Sequence, residues 1–173
     1  TFRKLGAGGT TTIDAGLPFS NAGTVDIRSG ILAANGGFIS TSNALLNVAL
    51  GGTQAGTNHG QLRTSGTITL NGGLSVDLLP GYTPALNDTF AVLTAGTRNG
   101  TFNKFSYPSN VVSMQLSNTP TAVLLGVTNI TPPPETTPTL NVQIQAGQFQ
   151  ICWPTSSNAT YRVEFNVDLN STN

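Results

Sequence analysis

Few residues in this chain carry side chains that do chemistry. There is one histidine, His59, in the run Gly56-Thr57-Asn58-His59-Gly60, and one cysteine, Cys152. A single histidine excludes a two-histidine metal site; a single cysteine excludes an intrachain disulfide and any multi-cysteine zinc site. His59 reads as a solvated turn residue. The nearest aspartate in sequence is Asp77, and there is no Gly-x-Ser-x-Gly elbow to supply a nucleophile. Asp14, Asp26, Asp77 and Asp88 could form a carboxylate pair only if the fold stacks them, and a glycosidase would also need one of the two with a raised pKa. Asp14 follows a strand isoleucine and Asp26 precedes one, so these two are expected to face different ways. Neither an EF-hand loop nor a calcium-binding nonapeptide occurs. The expectation is a non-enzymatic chain without cofactor or metal.

Aromatic rings are the one plausible binding feature. Tyr82 lies in Pro80-Gly81-Tyr82-Thr83-Pro84, a tight loop expected to expose its ring, and Tyr107 in a second loop, Lys104–Pro108. Trp153 and Tyr161 lie on or near alternating strands. Flat rings among Asn, Gln and Thr suit a sugar face and its hydroxyls, so these four are candidate ligand-binding residues toward a polysaccharide or cell-surface glycan. The competing reading makes them core or cap residues of a small β domain; strand alternation points Trp153 inward, with Cys152 beside it as a buried apolar residue. Charge offers little else. Only 8% of residues are charged and the formal net charge is zero, against about 25% charged in ordinary domains. Nothing draws the chain to nucleic acid or anionic lipid. No apolar run approaches the roughly 20 residues that span a bilayer. Asn-x-Ser/Thr sequons at Asn87, Asn99, Asn129, Asn158 and Asn170 are expected by chance in a chain where Thr, Gly, Asn and Ser make up 76 of 173 residues.

The elements that would position these residues are strands. Three segments share the pattern G-T-x-x-[IL]-x-x-G-[IL]: Gly9–Leu17, Gly23–Ile31 and Gly66–Leu74. The first two begin 14 residues apart, and the third 43 residues after the second, close to three such periods. Thr, Val, Ile and Leu favour a pleated, half-buried surface, and glycine supplies corners. In Thr24-Val25-Asp26-Ile27 and Thr67-Ile68-Thr69-Leu70 one face turns inward and the other meets water. A nine-residue unit cannot bury its own apolar face, so neighbours must stack on it. This predicts an all-β fold, a β-solenoid of the parallel β-helix type over 1–130, with a β-sandwich or jelly roll as the alternative. The 14-residue period is short for a three-sided coil and fits two sides of one. Thr41–Leu50 continues the register and is expected to be strand rather than helix. Val111–Leu116 and Ala122–Val127 read as paired strands that cap the last apolar layer.

From Gln61 the succession Gln61-Leu62-Arg63-Thr64-Ser65-Gly66, Gly73–Leu78, Gly81-Tyr82-Thr83-Pro84, Asn87–Leu93 and Gly100-Thr101-Phe102 resembles the C-terminal part of autotransporter-like β-solenoid regions of large secreted bacterial proteins. The resemblance covers roughly residues 9–127 and departs at Asn58-His59-Gly60-Gln61, where such regions often carry Tyr-Asp. It implies a surface-exposed structural or binding role rather than catalysis. Residues 131–138, Pro/Thr-rich, are expected to be a semi-rigid linker. The alternating runs beyond it, in 139–173, resemble the first strands of a fibronectin- or immunoglobulin-like module, which needs about seven strands. The first residue is not Met, there is no signal-peptide pattern, and both ends read as cut from something longer. The function expected is a non-catalytic structural or adhesive segment of a secreted or cell-surface bacterial protein; the alternative is a carbohydrate-binding module attached to a polysaccharide-degrading enzyme.

Overall fold

The computed structural model describes residues 1–6 and 8–130, and the backbone of two strands further on, Asn141–Gln145 and Gln148–Cys152. Among the described residues every regular element is a strand. The chain divides into two compact units, Thr1–Pro133 and Pro134–Asn173.

In the first unit the strands wind through three sheets in turn. The first coil is β1 (Phe2–Lys4), β2 (Thr10–Ile13) and β3 (Phe19–Asn21); the second is β4 (Thr24–Ile27), β5 (Ile31–Ala34) and β6 (Phe38–Ser40). The third is β7 (Leu45–Leu50), β8 (Gln61–Arg63) and β9 (Thr67–Leu70); the fourth is β10 (Gly73–Leu78), β11 (Thr89–Thr94) and β12 (Thr97–Gly100). β13 (Lys104–Ser106) begins a fifth pass. One sheet runs β1-β4-β7-β10-β13, another β3-β6-β9-β12, and the third carries β2-β5-β8-β11, all parallel. This is a three-sided β-solenoid. A sandwich or jelly roll is excluded, because those are built from antiparallel strands.

The 14-residue period is not the coil height. Phe2 pairs with Val25, Val25 with Leu46, Leu46 with Leu74 and Leu74 with Phe105, so one coil takes 21 to 31 residues. The three copies of the Gly-Thr pattern start β2, β4 and β9, each in a different sheet. All three sides face the same physical demand, a glycine corner followed by threonine outward and isoleucine or leucine inward. Self-similarity therefore reports a side and the turn after it, and 14 residues span two sides. The coil lengthens where loops are inserted, at 51–60 between β7 and β8 and at 79–88 between β10 and β11. These loops stack on each other: the Leu79 amide donates to the Leu50 carbonyl at 2.8 Å.

Stacked rows fill the interior. Val25, Leu46 and Leu74 form one row, Ile27, Val48 and Val76 another, and Leu32, Leu62 and Leu93 a third, all buried. On the third side Phe19 packs edge-on between Phe2 and Phe38, with ring centroids 5.5 Å from each. Near 25 cal/mol per Å² of apolar surface buried, such ladders are the main force holding coils together. At the far end β14 (Val112–Asn118) and β15 (Ala122–Ile130) form an antiparallel hairpin, and β15 adds antiparallel to β11. Val112, Met114, Val123, Leu125 and Val127 thereby join the core, as expected of a cap. Arg98 of β12 sits in register with Ile68; its backbone amide donates to Pro120 and its Nε to the Thr119 carbonyl, 2.7 Å each. It latches the hairpin turn to the third side.

In the second unit β16 (Asn141–Gln145) and β17 (Gln148–Cys152) pair antiparallel, Asn141 opposite Cys152. The Pro/Thr linker at 131–138 and the run after Cys152 lie outside the described residues.

Candidate functional site

The outer face of the first sheet carries both ion pairs found among the described residues. β1, β4, β7, β10 and β13 place Arg3, Asp26, Asn47, Ser75 and Ser106 in one outward row. Asn47 Nδ2 donates to Asp26 Oδ1 and to Asp77 Oδ2, both at 3.0 Å. Arg3 Nε lies 3.3 Å from Asp26 Oδ2, and Arg28 Nη1 lies 2.5 Å from Asp77 Oδ2. Arg28 follows β4 and Asp77 belongs to β10, so their ion pair bridges two coils and covers the buried Ala49 between them. Of the four aspartates, the fold brings together Asp26 and Asp77. Each is bound to an arginine and they share one amide, which makes them a structural ladder rather than an acid–base pair. Asp14 lies in the turn after β2, where its carbonyl accepts from the Leu17 amide. Asp88 ties the 79–88 loop, accepting from the Ala85 amide at 2.8 Å. Among the described residues no group of three or more His, Cys, Asp or Glu could hold a metal ion.

A groove of about 610 Å³ opens where this face meets the 79–88 loop and the segment 107–111 after β13. Arg28, Ser75 and Asp77 line its floor, Pro80 and Tyr82 one wall, and Ser106, Tyr107, Pro108 and Asn110 the other. Tyr82 and Tyr107, 25 positions apart in the sequence, thus share one cavity because β10 and β13 are neighbours in register. Neither ring stands free. Tyr82, expected to be exposed, is half-buried: it packs edge-on to Phe90, centroids 6.5 Å apart, and its hydroxyl donates to Asp88 Oδ2 at 3.3 Å. Burial pushes its pKa up to about 12, and the Asp88 carboxylate adds to the rise by its charge and by accepting the phenol proton's hydrogen bond. Tyr82 is therefore a neutral wall. Tyr107 is half-buried against Phe105, with centroids 5.0 Å apart and ring planes tilted by 38°. Trp153 and Tyr161 lie outside the described residues.

No family model matches this sequence, and no curated protein does.

His59 departs from expectation. It is fully buried under the 51–60 loop, with Nδ1 3.0 Å from the Gly52 carbonyl, Nε2 3.3 Å from the Ala91 carbonyl and its ring edge-on to Phe90 at 5.6 Å. It fastens the inserted loop of the third coil to β11 of the fourth. A lone histidine in a glycine-rich run looks solvated because sequence shows only its own loop; the fold lays that loop over the next coil. Nothing in the sequence marks Arg28 and Asp77 as ligand-binding residues. Only the coil height reveals that residues 49 apart meet.

Proposed function

We propose that this chain is a non-catalytic structural or adhesive segment of a secreted or cell-surface bacterial protein, a rigid solenoid that holds a surface groove outward. The observation that carries the reading is the pairing-off of the reactive groups. Asp26 and Asp77 are held by Arg3, Arg28 and Asn47, and His59 is sealed inside. What remains on the outer faces is mostly Thr, Ser, Asn and Gly on a parallel-stranded frame, the composition of a surface for contact. The resemblance to autotransporter-like solenoid regions supports the extracellular setting. No described helix is long and apolar enough to cross a membrane.

The Tyr82–Tyr107 groove favours a second reading, a glycan-binding module. One experiment addresses both. The purified chain is coated on inert beads and offered bacterial and host cell surfaces and insoluble polysaccharides, with reducing-sugar release followed in parallel. Attachment without release of sugar is the expected outcome. Steady release of sugar, abolished by Asp77→Asn, would sink the non-catalytic reading.

A further inference from the structure

We infer that the groove between Tyr82 and Tyr107 takes a neutral oligosaccharide, with Tyr107 as the stacking platform and the Arg28–Asp77 pair as the reader of adjacent hydroxyls. The inference rests on the glycan-binding reading above and names its ligand class. Size is the first argument: about 610 Å³ lies within the range of roughly 300–1,000 Å³ typical of small-ligand sites. Preorganisation is the second. Pro80 and Pro108 fix the backbone of the two walls, and both tyrosines are braced from behind by Phe90 and Phe105. Little freedom remains to be lost on binding.

Charge is the third argument, and it selects the ligand. The groove holds one guanidinium and one carboxylate, already paired at 2.5 Å. An acidic sugar, a phosphate or an acidic peptide would find no unneutralised cation there. A polyhydroxyl ligand finds both kinds of partner side by side. Arg28 has five N–H donors and directs one nitrogen to Asp77. The bonds from Arg28 and Asn47 both end on Asp77 Oδ2, so Oδ1 keeps acceptor capacity. Both side chains reach solvent, at 34% and 45% exposure. A donor fork beside a carboxylate oxygen matches two neighbouring hydroxyls, one accepting and one donating. Ser75, Ser106 and Asn110 add neutral partners along the floor and rim.

Titration calorimetry of the full chain tests this with cellohexaose, xylohexaose and mannohexaose as neutral probes and hexagalacturonate as the acidic one. At least one neutral probe is expected to bind, with affinity nearly unchanged between low and high salt, because no exposed charge is neutralised by the ligand. Tyr107→Ala should weaken binding about tenfold to a hundredfold, the range of a lost stacking platform, while Tyr107→Phe retains it. Asp77→Asn and Arg28→Gln lie on the outer face and should each weaken binding by about tenfold; circular dichroism identifies the folded variants. Preference for hexagalacturonate, or a steep salt dependence, would overturn the neutral-ligand inference while leaving a glycan-binding module. Neutral binding untouched by folded Tyr107→Ala and Asp77→Asn would place the ligand elsewhere and overturn the assignment of the groove. Binding of no probe would remove both the inference and the glycan reading.

Discussion

Tyr82 and His59 show what one side chain can decide in a coil stack. The raised Tyr82 pKa means that the folded chain holds the phenol proton more tightly than the unfolded chain, where it leaves near 10. The stability linked to this proton is therefore fully present below pH 10 and is lost as pH climbs from about 10 to about 12. Thermal unfolding followed across that window should show a falling midpoint for the native chain and a shallower fall for Tyr82→Phe, which has no proton to lose there. Identical slopes would mean that neither burial nor Asp88 holds the phenol proton in the folded chain. His59 makes the larger contribution. His59→Ala removes a fully buried ring, its contact with Phe90 and the bond to the Gly52 carbonyl. The expected loss is about 2–4 kcal/mol, from the cavity and the orphaned carbonyl together. Urea titration measures it; a loss within about 0.5 kcal/mol, the range of ordinary surface changes, would mean that the loop does not depend on the ring.

At the scale of elements, corners and registers matter more than strand chemistry. Gly72 turns the chain from β9 into β10 with φ near +75°, and a Cβ there would run into the backbone carbonyls of Ala44 and Thr41 in the coil below. Gly23 opens β4 and would meet nothing within 4 Å. Gly72→Ala should cost about 1–3 kcal/mol in backbone strain and more for the clash, whereas Gly23→Ala should be neutral or stabilising by up to about 1 kcal/mol. Denaturant midpoints of the two variants check this, and equal effects would contradict the corner geometry. The contrast also shows what the sequence makes legible. Strand character, the all-β class, the strand at the end of Thr41–Leu50 and the capping hairpin all follow from local alternation, which a strand cannot disguise. Coil height does not, because three sides of similar chemistry repeat faster than the coil does, and the 51–60 and 79–88 insertions break the count. Tyr82 and Tyr107 could be named from their loops. Their meeting in one groove over Arg28 and Asp77 could not, since it depends on which coil lies above which.

The whole solenoid unit is a one-dimensional stack, and its stability should be distributed along the axis rather than shared equally. Through its sheets each coil pairs only with its neighbours, the Arg28–Asp77 ion pair reaching one coil further, so interior coils gain two interfaces and end coils one. The described sheets leave β1, β2 and β3 as edge strands, and these are short, with the residues of β2 largely exposed. Lys4 occupies the inward row that holds Ile27, Val48 and Val76 in the coils above, and a charge pointing inward at a sheet edge discourages further strand pairing. At the other end, the β14–β15 hairpin pairs with the edge strand β11 of the second side and buries five apolar side chains. Amide hydrogen exchange should therefore be fastest in β1–β3, slowest in β7, β8 and β11, and intermediate in β14 and β15, because local opening follows the number of buried contacts that must break. Leu125→Asp puts a charge into the covered layer and should lower protection in β14, β15 and β11 first, leaving β4 and β5 nearly unchanged. Exchange mapped by mass spectrometry on peptides from each coil measures both profiles. Equal protection in all coils, or loss of protection everywhere at once in Leu125→Asp, would mean that the stack unfolds as one cooperative body, and the nearest-neighbour account of its stability would have to be abandoned.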